Sequence, residues 1–453
     1  EDFEMRWLAY SLPLCLMVVN FGTASGDDWP RWMGPTADGV YREQVITTPI
    51  AESGLKVNWR IPIAGGYAGP AVVGDRVYLF DYEKTAGEAF NNPGQRAELK
   101  GKERLLCIDT ETGKTVWKYE YDCPYSISYP AGPRCTPTVD RNDSTDSGRV
   151  YILGSEGDLA CLHASSGEMI WKRSFKKDYN ADIPIWGFSA HPLVDGDLVY
   201  CMVGGPGQTV VAFDKMTGEE RWKGLSASAV GYCPPSIIQA GGVQQLIVWH
   251  ADAIVGMNPE TGEPYWDMPI KPDFEMSIAR PQVEGNRVYA SAIRNHSVMF
   301  ELEKDRPEVK ELWRGEPKMS VYSANSTPIF HGGVIFGTDC NEGSLMAINA
   351  DNGERLWTSF EATKPGETRR VNHGTAFLTR LADSDNYLLM SETGDLILAN
   401  LTASGYKEIW RFHVLEPTGE AFGRDVVWSH PAYANRTAFV RNDKELVSVN
   451  LAP

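Results

Sequence analysis

CIDTETGKTVW (Cys107–Trp117) sets the pattern of this chain: an apolar run, a tight polar turn ending in Thr-Gly, then a strand that carries a Trp. The pattern returns as CLHASSGEMIW (Cys161–Trp171), VAFDKMTGEERW (Val211–Trp222), VGMNPETGEPYW (Val255–Trp266) and MAINADNGERLW (Met346–Trp357). ILANLTASGYKEIW (Ile397–Trp410) is a looser copy, and FELEKDRPEVKELW (Phe300–Trp313) keeps the Trp without the Gly. Self-similarity at a spacing of roughly 45 to 60 residues marks a repeat array. Each copy reads as strand, Gly turn and strand, so the array is a ring of β-sheets.

A lead-in segment with a Pro-like slot precedes each repeat. These are YAGPAVV (from Tyr67), RCTPTV (Arg134), SAHPLV (Ser189), YCPPSI (Tyr232), IARPQV (Ile278), NSTPIF (Asn325), HGTAFL (His373) and WSHPAY (Trp428). Eight lead-ins face seven downstream Trp strands, because the last unit ends after three strands. VNWRIPI (Val57–Ile63) carries the orphan Trp59. The sequence therefore predicts an all-β, eight-bladed β-propeller of four-stranded antiparallel blades. Residues 57–63 complete the blade formed by 430–451, and this closure removes an exposed sheet edge. Hairpins such as VVGDRVYLF and VEGNRVYASA, rich in β-branched and aromatic residues, fit that grammar. Little helix is expected.

The chain has 453 residues and a formal net charge of −17. That charge disfavours nucleic acid and anionic membrane surfaces as partners. Residues 1–26 read as a signal peptide: Met5-Arg6, an apolar Trp7–Phe21, then small residues at Thr23–Gly26. Export to the periplasm or outside the cell follows as an expectation. A single propeller over 27–453, monomeric and without a membrane span, follows too. Cys107, Cys161 and Cys201 sit in apolar strands as small buried hydrophobes, while Cys123 and Cys135 flank a loop and can pair in an oxidising compartment.

The long insertions all fall on the face opposite the Thr-Gly turns: Asp81–Arg104, Tyr121–Arg134, Lys177–Ser189 and Glu416–Trp428. Loops on a rigid scaffold concentrate function. Two residues before the slot stands a uniformly small column, Ala68, Cys135, Ala190, Cys233, Ala279, Ser326, Gly374 and Ser429, as packing of converging strands requires. The positions one and three before it share a face and vary from blade to blade. They supply the candidate ligand-binding mouth: Tyr67, Arg134, His191, Tyr232, Arg280, Asn325, His373, Trp428 and His430, joined by Trp186 from an insertion. Arg forks bind carboxylates and aromatic rings stack on flat ligands. Asp425 and Asp182 are mouth-loop carboxylates, Asp425 being the one weak candidate for a catalytic base. The sequence holds no HExxH, CxxC, CxxCH or GxSxG, so it specifies no metal ligands and no acyl-transfer nucleophile.

The xDxxTGxxxW repeat resembles the pyrroloquinoline quinone (PQQ)-like repeat of quinoprotein alcohol dehydrogenases and of BamB-like proteins, over roughly Trp29 to Pro453. DDWPRWMGPTADGV (Asp27–Val40) also looks like the start of secreted bacterial proteins of this type. The resemblance implies the propeller, and PQQ with calcium as a possible cofactor. The dehydrogenases typically carry a vicinal Cys-Cys pair, which this chain lacks. The expected function is thus an exported ligand- or protein-binding scaffold without catalysis. The alternatives are a divergent PQQ- and calcium-dependent dehydrogenase of sugars or alcohols, and a BamB-like outer-membrane assembly scaffold.

Overall fold

Each Thr-Gly repeat supplies the third and fourth strands of a blade, and each lead-in supplies the first. In the computed structural model the third blade runs Leu193–Asp195, Leu198–Met202, Val210–Asp214 and Glu220–Gly224, each strand antiparallel to the last. The other blades repeat this order, giving an eight-bladed propeller. The model describes residues 27–43, 46, 48, 50–51, 54–141, 148–366 and 369–453. The predicted signal peptide, 1–26, lies outside the described residues. Helix among them is confined to Phe175–Asp178 and a 3-10 turn at Asp273–Glu275.

The ring closes as the orphan Trp implied. Val57–Pro62 pairs antiparallel with Glu445–Asn450, in the register Trp59↔Ser448 and Ile61↔Leu446, and becomes the outer strand of the last blade.

The repeated Gly and Trp are two halves of one contact between neighbouring blades. Trp171 donates its indole N–H to the Lys215 carbonyl of the next blade's turn at 3.1 Å, and its ring lies over Gly218. Trp117 does the same with Ala164 and Gly167, Trp222 with Pro259 and Gly262, and Trp313 with Ala350 and Gly353. Trp59 reaches Thr110 and Gly113 across the closure. These glycines have φ of +69° to +74°, where a side chain is disfavoured, and a Cβ would meet the ring at 3.0 Å or less. The fifth blade lacks the Gly, and there Trp266 turns back to Gln245 of its own blade at 2.7 Å. Apolar cores form between blades, as where Tyr151, Cys161 and Trp171 meet Val199, Cys201 and Phe213. Each such side chain contributes about 1.5–3 kcal/mol by leaving water.

The predicted small column is buried throughout, from Ala68 to Ser429, and a Cβ on its one glycine, Gly374, would lie 2.8 Å from Gly343. Two expectations need correction. Asp81–Arg104 is not a loose insertion: Arg76–Ala86 and Ala97–Asp109 are one extended hairpin, with Tyr125–Ile127 added beside it. Cys123 and Cys135 are both buried and both free, so they do not pair.

Candidate functional site

The axis of the ring holds a funnel of about 880 Å³ on the insertion face. Its floor comes from a segment that the repeat does not include. Trp29 exchanges two backbone hydrogen bonds with Val72 of the first blade, and the Pro30 carbonyl accepts from Val139 of the second. Ala37 accepts from Arg280 of the fifth, and Val40–Tyr41 pairs in parallel with Arg380–Leu381 of the seventh. The segment thus crosses the channel on the side of the Thr-Gly turns and lays Trp32 on the axis. The Trp32 ring stacks on His191 at 4.9 Å and meets His430 edge-on at 5.4 Å.

Nine of the ten predicted mouth residues line this one funnel: Tyr67, Arg134, Trp186, His191, Tyr232, Asn325, His373, Trp428 and His430. Arg280 does not. It lies beneath the floor against Thr36 and Ala37, its guanidinium 2.7 Å from the Ala37 carbonyl, and burial lowers its pKa. Asp425 and Asp182 are exposed and off the funnel wall; Asp425 belongs to a short hairpin of Gly419–Ala421 with Arg424–Val426.

Most polar groups on the wall already have a structural task. Arg134 donates to the carbonyls of Ser128, Tyr129 and Gly132, pinning the loop beside it, and lies 5.1 Å from the Tyr67 ring. Its fork is therefore spent on backbone. His191 Nδ1 accepts from the Thr136 N–H of the preceding blade at 2.8 Å. Burial, with each ring near the other, depresses His191 to about 3, and burial depresses His430 likewise to about 3. Both are neutral near pH 7. His373 is pushed down to about 4 by burial and by Arg424, and stacks on Phe422 at 4.7 Å. Burial also raises the phenols of Tyr67 and Tyr232 and the Cys340 thiol, leaving no ready nucleophile among them. What remains is aromatic surface: Trp32, Trp186, Tyr232, Trp428 and, at the rim, Phe274 and Phe422. Trp32 Nε1 and Asn325 Nδ2 are fully buried and have no acceptor among the described residues.

Sequence reasoning missed the residues that hold this wall in place. Glu392 is buried and accepts from Nε and Nη2 of Arg424 (2.8 and 3.1 Å), from Trp428 Nε1 (3.1 Å) and from the Thr375 N–H (3.0 Å). Asp339 similarly takes Arg355 and the Tyr322 N–H, and Asp81 takes Arg104 and the Ala64 N–H. All three acids stand at the mouth side of a second strand, opposite the lead-ins. A carboxylate recurring beside apolar second strands (FD, TD, SE) was the available signal. Trp32 comes from the floor segment, Phe274 from a 3-10 turn and Phe422 from the tip of a mouth-loop hairpin, all outside any repeat.

Calcium takes six to eight oxygen ligands. Among the described residues, the one carboxylate on the funnel wall is Glu275, exposed at the rim. No group of three or more His, Cys, Asp or Glu among the described residues can hold a cation. With Arg134 and Arg280 committed to carbonyls, the residues do not fit a calcium-bound quinone.

The family described as outer membrane protein assembly factor BamB matches residues 101–359, more than half of the chain. Among curated proteins, the quinohemoprotein alcohol dehydrogenase ADH-IIG of Pseudomonas putida is 25% identical over 267 residues, 58% of this chain and 30% of its own. The assembly factor BamB of Burkholderia pseudomallei is 24% identical over 266 residues, 55% of this chain and 59% of its own. The matches thus span less than two thirds of either relative. Among solved structures, BamB of Moraxella catarrhalis superposes with a TM-score of 0.55 at 13% identity, covering 87% of this chain and 99% of that one. A europium-containing methanol dehydrogenase gives 0.59 at 13%, covering 93% and 89%. These two likenesses support the propeller fold. No helix among the described residues is long and apolar enough to cross a membrane.

Proposed function

This chain belongs to the PQQ-like repeat family described as outer membrane protein assembly factor BamB, and from that footing we propose that it is an exported binding propeller that holds a flat ligand in its axial funnel without performing chemistry on it. One observation carries the reading: a cavity of about 880 Å³ with aromatic walls, whose histidines are held neutral and whose Arg134 is bonded to backbone carbonyls. Ligand sites are typically concave and apolar, with few polar groups that fix orientation. Trp186 and Trp428 supply stacking faces.

The dehydrogenase relatives suggest a quinone and calcium, and the donor set argues against that pair. The test is fluorescence titration with the neutral probe N-phenyl-1-naphthylamine, together with thermal unfolding in PQQ plus calcium. Saturable binding that Trp428→Ala weakens about tenfold or more is expected, a loss of roughly 1.4 kcal/mol. Retained quinone absorbance and a raised Tm with PQQ plus calcium would replace this reading with the dehydrogenase one.

Family membership favours a second reading, a scaffold in outer-membrane protein assembly. Crosslinking in the native envelope checks it, and recovery of no assembly component would remove it.

A further inference from the structure

A second cavity, of about 380 Å³, opens on the rim where the mouth loops of the fifth, sixth and seventh blades meet. It shares Arg294, Asn341 and Arg370 with the funnel wall, so the two spaces have a common border. Among the described residues, its lining brings four cations, Arg294, Lys318, Arg355 and Arg370, against one carboxylate, Glu342. That balance is opposite to the chain's formal charge of −17.

The four cations are not equivalent. Arg355 donates to Glu342 at 2.6 Å and to the Ser320 carbonyl at 2.9 Å, and is part of the framework. Arg294 pairs with Asp273 at 3.2 Å and lies 4.7 Å from the Phe274 ring, tying the notch to the funnel's aromatic rim. Lys318 and Arg370 are exposed, and among the described residues neither has a hydrogen-bond or ion-pair partner. Uncommitted cations gathered at the border of the funnel give its rim a local positive potential, which attracts an anion most strongly at low salt. A guanidinium and an ammonium together suit a single oxyanion.

We propose that this notch is the anion subsite of the funnel, and that the ligand is an aromatic ring system carrying one carboxylate- or phosphate-type oxyanion. The inference rests on the funnel being a ligand site and names the class of ligand. The ring lies against Trp428 and Trp186, and the oxyanion reaches over the rim to Arg370 and Lys318.

Two probes with the same rings separate the claims: neutral N-phenyl-1-naphthylamine and its sulfonated relative 1-anilinonaphthalene-8-sulfonate. On the full chain at about 0.05 M salt, the sulfonate is expected to bind roughly tenfold tighter than the neutral probe. In Lys318→Ala/Arg370→Ala the ratio of the two affinities should fall to about twofold or less, and about 0.5 M salt should reduce it likewise. Both side chains are exposed and have no partner among the described residues, so their loss does not threaten folding. Equal affinities in the parent protein, or a ratio unmoved by the double substitution, overturn the anion subsite while leaving the funnel reading intact. Failure of both probes to bind overturns both.

Discussion

His191 and His430 show most directly how the residues of this site are set. Each ring is buried against Trp32, and each titrates near 3 against an ordinary value of 6.5. A base depressed in the folded state takes up protons first in the unfolded chain. Each histidine therefore gives full stability above about pH 6.5, and that stability is lost as pH falls toward 3. Within the window the slope is about 1.4 kcal/mol per pH unit for each group. Glu103, Asp339 and Glu392 work the other way, since burial raises them despite their hydrogen bonds. A bare slope would mix these effects, and a comparison does not. Asn at 191 can still accept the Thr136 N–H, so His191→Asn keeps the tie between blades and removes the titration. Urea unfolding between about pH 6 and pH 4 should show the variant losing less stability than its parent, by about 1.4 kcal/mol per pH unit. Parallel profiles would mean that the ring is not held neutral.

At the scale of the element, the unit is the Trp of one blade and the Gly turn of the next. Gly218→Ala puts a methyl 2.5 Å from the Trp171 ring at φ +70°, so the backbone and the ring must both give way. Gly196→Ala shares the positive φ, +54°, but meets nothing within 4 Å. The expected losses are about 3 kcal/mol for the first and about 1 kcal/mol for the second, read from urea midpoints. Equal losses would show that backbone strain alone explains the repeat. These contacts were legible in the sequence because they recur: Trp117, Trp171 and Trp222 mark the same place in successive copies. The lead-in columns were legible for the same reason, and eight of the nine residues they supplied line the funnel. Arg280 was misplaced because alternation along a strand gives a side chain's face and not its depth along the axis. Trp32 and Phe422 were not legible, since a segment used once has no copy to compare with. The roles of Arg134 and His191 depend on carbonyls and N–H groups contributed by other segments, which no column of side chains displays.

Across the whole molecule, the seam between the chain's two ends is the element that turns an array into a ring. Repeat arrays gain stability from neighbour contacts, so an open array frays at its ends while a closed one has none. Here closure depends on Val57–Pro62, held by the Glu445–Asn450 ladder, by Arg60 bonding Glu445 at 2.9 Å, and by Trp59 on the Thr110 turn. Ile63 donates its N–H to Lys444, and alternate residues turn the same way, so Ile61 also presents its N–H to the ladder. Ile61→Pro removes that donor and should loosen the seam, where the Ile61 side chain also packs beside Gly113 of the first blade, while leaving the blades across the ring untouched. Hydrogen exchange distinguishes local from global weakening. Amides of Glu445–Asn450 should exchange much faster in the variant, while those of Ala253–Met257, far round the ring in the fourth blade, keep nearly their parental protection. The uncovered strand then becomes a free edge, and such edges pair with other chains. Concentration-dependent association in sedimentation should accompany the local exchange. Equal acceleration in both strands would mean that the ring unfolds as one unit, and that Val57–Pro62 is no weaker a link than any strand within a repeat.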